Sequence, residues 1–253
     1  MKNEAIATLL DKASHEAKSI EQISLSHPFN LKSAYDIQKQ SIQRRLDRGE
    51  SLVGYKMGFT SKAKMEQMGV HDLIWGQLTD AMFYDSNTDL PLDKFIHPRA
   101  EPEIAFKISN DVNDVLTLEN AKDYVSHVAV ALEIIDSRYQ NFKFSLEDVV
   151  ADNCSSAAFA IGEWKPVDQN IEGILMSMVF EDVVMGSGNS NAILDNPWAS
   201  FVASSRLALE NGVTMKAGDI VLAGAATSAV HIKKGDTISA HADGLGAVFL
   251  EVV

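Results

Sequence analysis

Two carboxylates two residues apart in an apolar frame are the first feature of the sequence that could do chemistry. In Arg99-Ala-Glu101-Pro-Glu103-Ile-Ala-Phe, the period of two of an extended strand points Glu101 and Glu103 to one face. Pro102 between them marks a strand start or an edge, where a site opens to solvent. A third acid, Glu133, interrupts Val128-Ala-Val-Ala-Leu-Glu-Ile-Ile, where Val128, Val130, Leu132 and Ile134 share one face and Ala129, Ala131 and Glu133 the other. A carboxylate in such a setting has to be protonated, paired or bound to a metal. Three carboxylates without a thiolate favour a hard cation, Mg²⁺ or Mn²⁺, with positions left open for substrate and water. Two plainer readings stand beside this one. Glu101 and Glu103 also suit an exposed edge that discourages aggregation, and Glu133 could pair with Arg138 or another base.

Lys56, in Gly54-Tyr-Lys-Met-Gly58, is flanked by apolar residues and glycines in a predicted strand. Its ammonium could meet an anion, serve as a desolvated nucleophile, or only snorkel to the surface. Ser155 and Ser156 after Ala151-Asp-Asn-Cys154, and Thr227 in Gly224-Ala-Ala-Thr-Ser, lie in small-residue loops suited to holding a ligand carboxylate, or in ordinary turns. Cys154 has no base beside it and reads as a small buried residue. Phosphate loops, dinucleotide fingerprints, serine-hydrolase elbows and zinc-protease helices are absent from the sequence. The seven scattered histidines give a histidine-rich metal site little support.

The chain that must position these groups has 253 residues, enough for one large domain or two small ones. Its 22 Lys and Arg against 35 Asp and Glu leave a net charge of −13, which repels polyphosphates and anionic membranes. An anionic substrate would therefore need a local positive site. A single cysteine excludes a disulfide framework within the chain and points to a reducing compartment. No apolar stretch approaches the ~18 residues of a membrane helix, and Glu4 and Asp11 interrupt any secretory pattern in Met1 to Ser14. The expectation is a soluble cytoplasmic protein that binds neither nucleic acid nor membrane.

Ile6, Leu9, Leu10, Ala13, Ala17, Ile20 and Ile23 recur at helical spacing, and Tyr35, Ile42 and Leu46 draw a second stripe that Gly49 ends. Beyond, the chain predicts strands over Val53–Phe59, Glu103–Ile108, Val128–Ile135, Ala157–Ile161, Ile174–Met185, Ile220–Ala223 and Ala247–Val252. A short helix opened by Ser61 and ended by Gly69, a loop at Gly186-Ser-Gly-Asn-Ser, and a helix from Asn196 and Pro197 to a stop at Gly212 complete the reading. This is an α+β pattern: a helix-rich N-terminal region, residues 1–80, then a β-rich catalytic domain, residues 81–253.

Five stretches together resemble the fumarylacetoacetate hydrolase superfamily, in its branch of 2-hydroxypentadienoate hydratases and 4-oxalocrotonate (2-oxo-3-hexenedioate) decarboxylases. They are Gly54-Tyr-Lys-Met-Gly-Phe-Thr-Ser-Lys-Ala-Lys-Met, His97-Pro-Arg-Ala-Glu-Pro-Glu-Ile-Ala-Phe, Ala131-Leu-Glu-Ile-Ile-Asp-Ser-Arg-Tyr, Val150-Ala-Asp-Asn-Cys-Ser-Ser and Gly218-Asp-Ile-Val-Leu-Ala-Gly, in family order from about residue 50 onward. The resemblance implies a mixed β-roll with a smaller helical N-terminal region. It also implies Mg²⁺ or Mn²⁺ on Glu101, Glu103 and Glu133, with Lys56 as an electrostatic catalytic group near the substrate's oxygens.

One departure chooses between the activities of the branch. The hydratases carry an acid before an aromatic-glycine pair, as in Pro-Asp-Tyr-Gly, whereas this chain has Leu73-Ile74-Trp75-Gly76; Ile74 moves no proton, and Asp72 is displaced by two residues. The resemblance thus implies decarboxylation of 2-oxo-3-hexenedioate in meta-cleavage breakdown of aromatic compounds, with the hydratase as the alternative. Ile74, Arg138, Ser155 and Thr227 are the expected substrate contacts, although Arg138 could equally pair with Asp136. A homo-oligomer, and a complex with a homologous hydratase, are further implications.

Overall fold

The structure, a computed structural model, describes residues 1–61, 65 and 72–253. The helix expected between Ser61 and Gly69 falls largely outside the described residues.

Two helices open the chain, α1 (Asn3–His15) and α2 (Leu31–Asp47). The first apolar stripe breaks at Ala17, whose φ is +49°, so Ile20 leaves the helix and bridges to Tyr139 instead. Asn30 caps α2 by accepting from the Ser33 N–H, and Gly49 ends the segment at a φ of +101°.

The strands follow as β1 (Leu52–Gly58), β2 (Ile74–Thr79), β3 (Phe83–Tyr84), β4 (Thr88–Leu90), β5 (Arg99–Ile108), β6 (Val125–Ile135), β7 (Ser156–Ile161), β8 (Lys165–Pro166), β9 (Leu175–Phe180), β10 (Val183–Asn189), β11 (Ile220–Ala225), β12 (Val230–His231), β13 (Thr237–Ala242) and β14 (Gly246–Val252). A short helix α3 (Leu146–Ala151) precedes β7, and α4 (Pro197–Glu210) precedes β11. Asn196 caps α4 through the Trp198 N–H, and Gly212 follows its end at a φ of +65°, as the sequence predicts.

The large mixed sheet runs β2-β1-β11-β5-β6-β7-β3, with β12 beside β5 and β8 beside β6. The smaller sheet runs β10-β9-β13-β14-β4. Between them lies the main core, where Ile104, Phe106, Val130 and Leu132 pack with Met176, Met178, Ile238 and Val248. The alternation in β6 is therefore real: its even-numbered residues face the smaller sheet. Its odd-numbered residues face the other way, toward a second core that includes Ile42 of α2.

Three expectations need correction. Strands β1 and β2 lie before residue 80, yet they hydrogen-bond into the large sheet; a cut at residue 80 would divide that sheet, and the helical layer proper ends near Gly49. The strand expected over Ile174–Met185 is a hairpin, because Glu181 and Asp182 both take positive φ, +46° and +65°, as a tight turn between twisted strands requires. The expected loop at Gly186 is then the second half of β10.

Pro102 is the third. It sits inside a central strand rather than at a start or edge. Its carbonyl accepts from the Ala226 N–H, so its nitrogen faces that same side, where β11 has ended and β12 has not begun. No ladder bond is lost there. Among the described residues no helix is long and apolar enough to cross a membrane.

Candidate active site

Adjacent strands of the large sheet bring the acids together. Glu101 of β5 stands directly opposite Glu133 of β6, and Glu103 stands opposite Ala131 one rung further on. One carboxylate oxygen from each of Glu101, Glu103 and Glu133 lies within 4.8 Å of the other two, and all three residues are buried. Opposed acids would normally weaken a sheet. Here the small Ala129 and Ala131 leave room on that face, and a lysine answers the charge.

Lys56 reaches the acids from β1, on the far side of β11. The register Lys56–Leu222–Ala105 puts the lysine on the glutamates' face of the sheet, and its Nζ lies 2.9 Å from Glu133 Oε2 with both side chains buried. Burial alone would lower the Lys56 pKa, but the charges of Glu133, Glu103 and Glu101 outweigh it and hold the ammonium well above the usual lysine range. Lys56 is thus a fixed cation, and neither a surface snorkel nor a neutral amine.

The carboxyls shift upward for complementary reasons. Burial, then the neighbouring Glu133 charge, raises Glu103 well above the usual carboxylate range; burial also raises Glu133. The three carboxylates crowd one another at full burial, and Glu133 Oε1 accepts no hydrogen bond from a described residue. Protons or a multivalent cation relieve such crowding. A hard divalent ion fits the donor set: three oxygen ligands, converging and already desolvated.

The anchor for Glu103 comes from an irregularity in β11. Its pairing with β5 shifts between Leu222 and Ala225, and Gly224 adopts a φ of +104°, so that its N–H donates to Glu103 Oε2 at 2.7 Å. A Cβ at Gly224 would come within 2.1 Å of Thr60 Oγ1. Gly224→Ala is therefore expected to displace both Thr60 and the Glu103 carboxylate, weakening divalent-ion affinity about 10- to 100-fold. Calorimetric titration with Mn²⁺ checks this.

A cavity of about 110 Å³ opens onto the acids. Lys56, Glu101 and Glu103 line its polar side, and Phe59, Ile74, Phe144 and Val149 its apolar side. Ile74 opens β2 and packs across β1, where a Cβ on Gly58 would meet its Cγ1 at 2.8 Å. Asp72 is exposed and paired with Arg206 at 2.6 Å, so it does not take the place of an acid at position 74.

Ser155 also lines the cavity, with a buried Oγ that has no hydrogen-bond partner. It ends a run of three positive φ values, +49°, +53° and +59° at Asn153, Cys154 and Ser155. Such a run is strained, at about 1–3 kcal/mol per residue. The Asn153 side chain holds it by accepting from the Gln77 N–H and donating to the Gln77 carbonyl, both at 2.8 Å. Cys154 donates to the Trp75 carbonyl at 3.1 Å, and burial pushes its thiol up to about 12, so it is no thiolate.

Two expected contacts lie elsewhere. Arg138 is not at the cavity wall: its guanidinium donates to the Asp152 carboxylate, the Asp152 carbonyl and the Ser156 carbonyl. Its partner is not Asp136 either, since that carboxylate accepts the Ile96 and His97 N–H groups. Thr227 is half-buried against Gly186 and Gly188 of β10, beyond the wall that Ala225 provides.

Residues 60–253 match the family model of the fumarylacetoacetate hydrolase C-terminal domain. The chain belongs to the fumarylacetoacetate hydrolase family. Within it, a 4-oxalocrotonate decarboxylase of Pseudomonas sp is 42% identical over 98% of this chain and 97% of its own length. A 2-keto-4-pentenoate hydratase of Burkholderia vietnamiensis is 35% identical over 85% of this chain and 83% of its own. The solved structure of 4-oxalocrotonate decarboxylase from Pseudomonas putida G7, complexed with magnesium and adipate, superposes with a TM-score of 0.96 at 32% identity, covering 99% of this chain and 97% of that one.

The family's fold is therefore the mixed-sheet architecture described above. Gly224 is the site residue that sequence reasoning missed. It stands in a quoted motif, but its role depends on a local register shift that no spacing announces.

Proposed function

We propose that this chain decarboxylates 4-oxalocrotonate or a close 2-oxo dicarboxylate, with a divalent ion, Mg²⁺ or Mn²⁺, on Glu101, Glu103 and Glu133. The convergence of three buried carboxylates beside one buried ammonium carries the reading. Near-full-length similarity to proteins named for that reaction supports it. A divalent ion supplies Lewis acidity toward the 2-oxo acid end of the substrate.

The chain's own residues do the rest. As the bond to the distal carboxyl breaks, CO₂ leaves with no electrons. The released pair becomes a C4–C5 double bond, the former C3–C4 pair moves to C2–C3, and the carbonyl pair comes to rest on the C2 oxygen. Protonation by solvent then gives 2-hydroxypenta-2,4-dienoate. Lys56 sets a fixed positive charge beside the oxygens that gain negative charge, with no reorganisation needed during the reaction. The Gly224 N–H and the Ser155 hydroxyl orient Glu103 and the 2-oxo acid end. Ile74, Phe59 and Phe144 keep water from the dienolate.

Residue 74 separates this activity from the hydratase reading, which the similarity to 2-keto-4-pentenoate hydratases favours. Ile74→Asp places an ionisable group in the apolar wall, and a drop of roughly tenfold or more in decarboxylation is expected. Following CO₂ release and diene absorbance on each substrate separately tests both readings. Hydration by the native chain without CO₂ evolution would overturn the assignment. The same reading carries self-association and a mixed complex with a hydratase that consumes the dienol, which light scattering of the purified chains, alone and mixed, would detect.

A further inference from the structure

The proposed substrate carries a second carboxylate, and neither Lys56 nor the acid cluster accounts for its recognition. Arg99 does. It stands two residues before Glu101 on β5, so the two share a face, and it lies directly opposite Ile135 of β6, which lines the cavity. Three successive rungs of that face therefore read Arg99 with Ile135, Glu101 with Glu133, and Glu103 with Ala131. The step from the Glu101 rung to the Arg99 rung is about 7 Å of strand, a length that the chain between the ends of a six-carbon dicarboxylate matches.

The guanidinium itself is poised for an anion. Its Cζ lies 4.1 Å from the centre of the Phe142 ring, and Phe142 lines the cavity. Arg99 makes no ion pair with a described residue, and its Nε is buried without a hydrogen-bond partner. Asp136, on the loop after β6, is committed to the backbone of Ile96 and His97. His231 is the cross-strand neighbour of Arg99, and burial, then the fields of Arg99, His97 and Lys233, lower the His231 pKa.

We infer that Arg99, stacked on Phe142, binds the distal carboxylate of the substrate and selects dicarboxylates over monocarboxylates. The inference rests on the 2-oxo dicarboxylate reading above, and it has a kinetic signature. The distal carboxylate is the group that departs as CO₂, so the contact is strongest before reaction; losing it raises KM without lowering kcat.

Two inert probes share the metal-chelating 2-oxo acid end and differ only at the far end: 2-oxoadipate and 2-oxohexanoate. Calorimetric binding of each to the full chain with Mg²⁺ tests the anchor without turnover. The native chain should prefer 2-oxoadipate by about 10- to 100-fold. Arg99→Gln should abolish that preference while binding 2-oxohexanoate and Mg²⁺ as before, and Arg99→Lys, which keeps the charge without the planar fork, should retain part of it. In turnover, Arg99→Gln should raise KM by a similar factor. A preference that survives in Arg99→Gln, or a kcat that falls with KM unchanged, overturns the anchor even if CO₂ is released. An Arg99-dependent preference in a chain that releases no CO₂ upholds the anchor and overturns the decarboxylase reading.

Discussion

Glu103→Gln is expected to abolish divalent-ion binding at micromolar Mn²⁺ and to lower decarboxylation by roughly 10³-fold, while leaving the metal-free protein no less stable. The last part follows from the electrostatics. Burial and the Glu133 charge already hold the Glu103 carboxyl well above its usual range, so its ionised form is unfavourable without a cation. A neutral amide removes that repulsion and can still accept the Gly224 N–H through its carbonyl oxygen. Thermal melts in chelator should therefore show an unchanged or higher midpoint for Glu103→Gln, and melts with Mn²⁺ should show the native chain gaining stability that the variant does not. A variant that melts much earlier in chelator would mean that Glu103 serves the fold rather than the ion.

Arg138→Ala should do the opposite. Its guanidinium is buried against Asp152 and ties the turn after β6 to the segment before β7. Removing one partner of a buried pair typically destabilises by about 3–5 kcal/mol, or a drop in melting temperature of roughly 10 °C for a chain of this size. Even with Arg138 present, burial pushes the Asp152 carboxyl up to about 6; without it the carboxylate is stranded. Arg138→Met with Asp152→Asn should recover much of the loss, because the uncompensated charge is then gone. KM for substrate and affinity for Mn²⁺, measured well below the transition, should be native. A selective rise in KM with no loss of stability would return Arg138 to the site.

The contrast between these two residues shows what spacing along a chain can and cannot disclose. Glu101, Glu103 and Glu133 were legible because strands impose a period of two, and because an acid among alanines and valines has few stable fates. Lys56 stood out for the same reason. Arg138 and Thr227 did not resolve, since both sit in loops whose direction depends on contacts made far away in sequence: Asp152 in one case, the glycines of β10 in the other. The Glu181-Asp182 turn was hidden because neither residue is a glycine, although both take positive φ. Pro102 misled because its missing donor matters only where a neighbouring strand is present to use it. The helical layer was read as extending to residue 80 because β1 and β2 find their partners long after they are made, in β11 and in one another.

The central claim is that three glutamates hold one divalent ion beside Lys56. Anomalous diffraction at the manganese edge, from crystals grown with Mn²⁺ and 2-oxoadipate, tests it most directly. A single peak ligated by carboxylate oxygens of Glu101, Glu103 and Glu133 is the predicted result, with the 2-oxo acid end of the ligand on the same ion. Manganese bound at another place, or a 2-oxo acid seated on Lys56 with no ion between it and the glutamates, would contradict it.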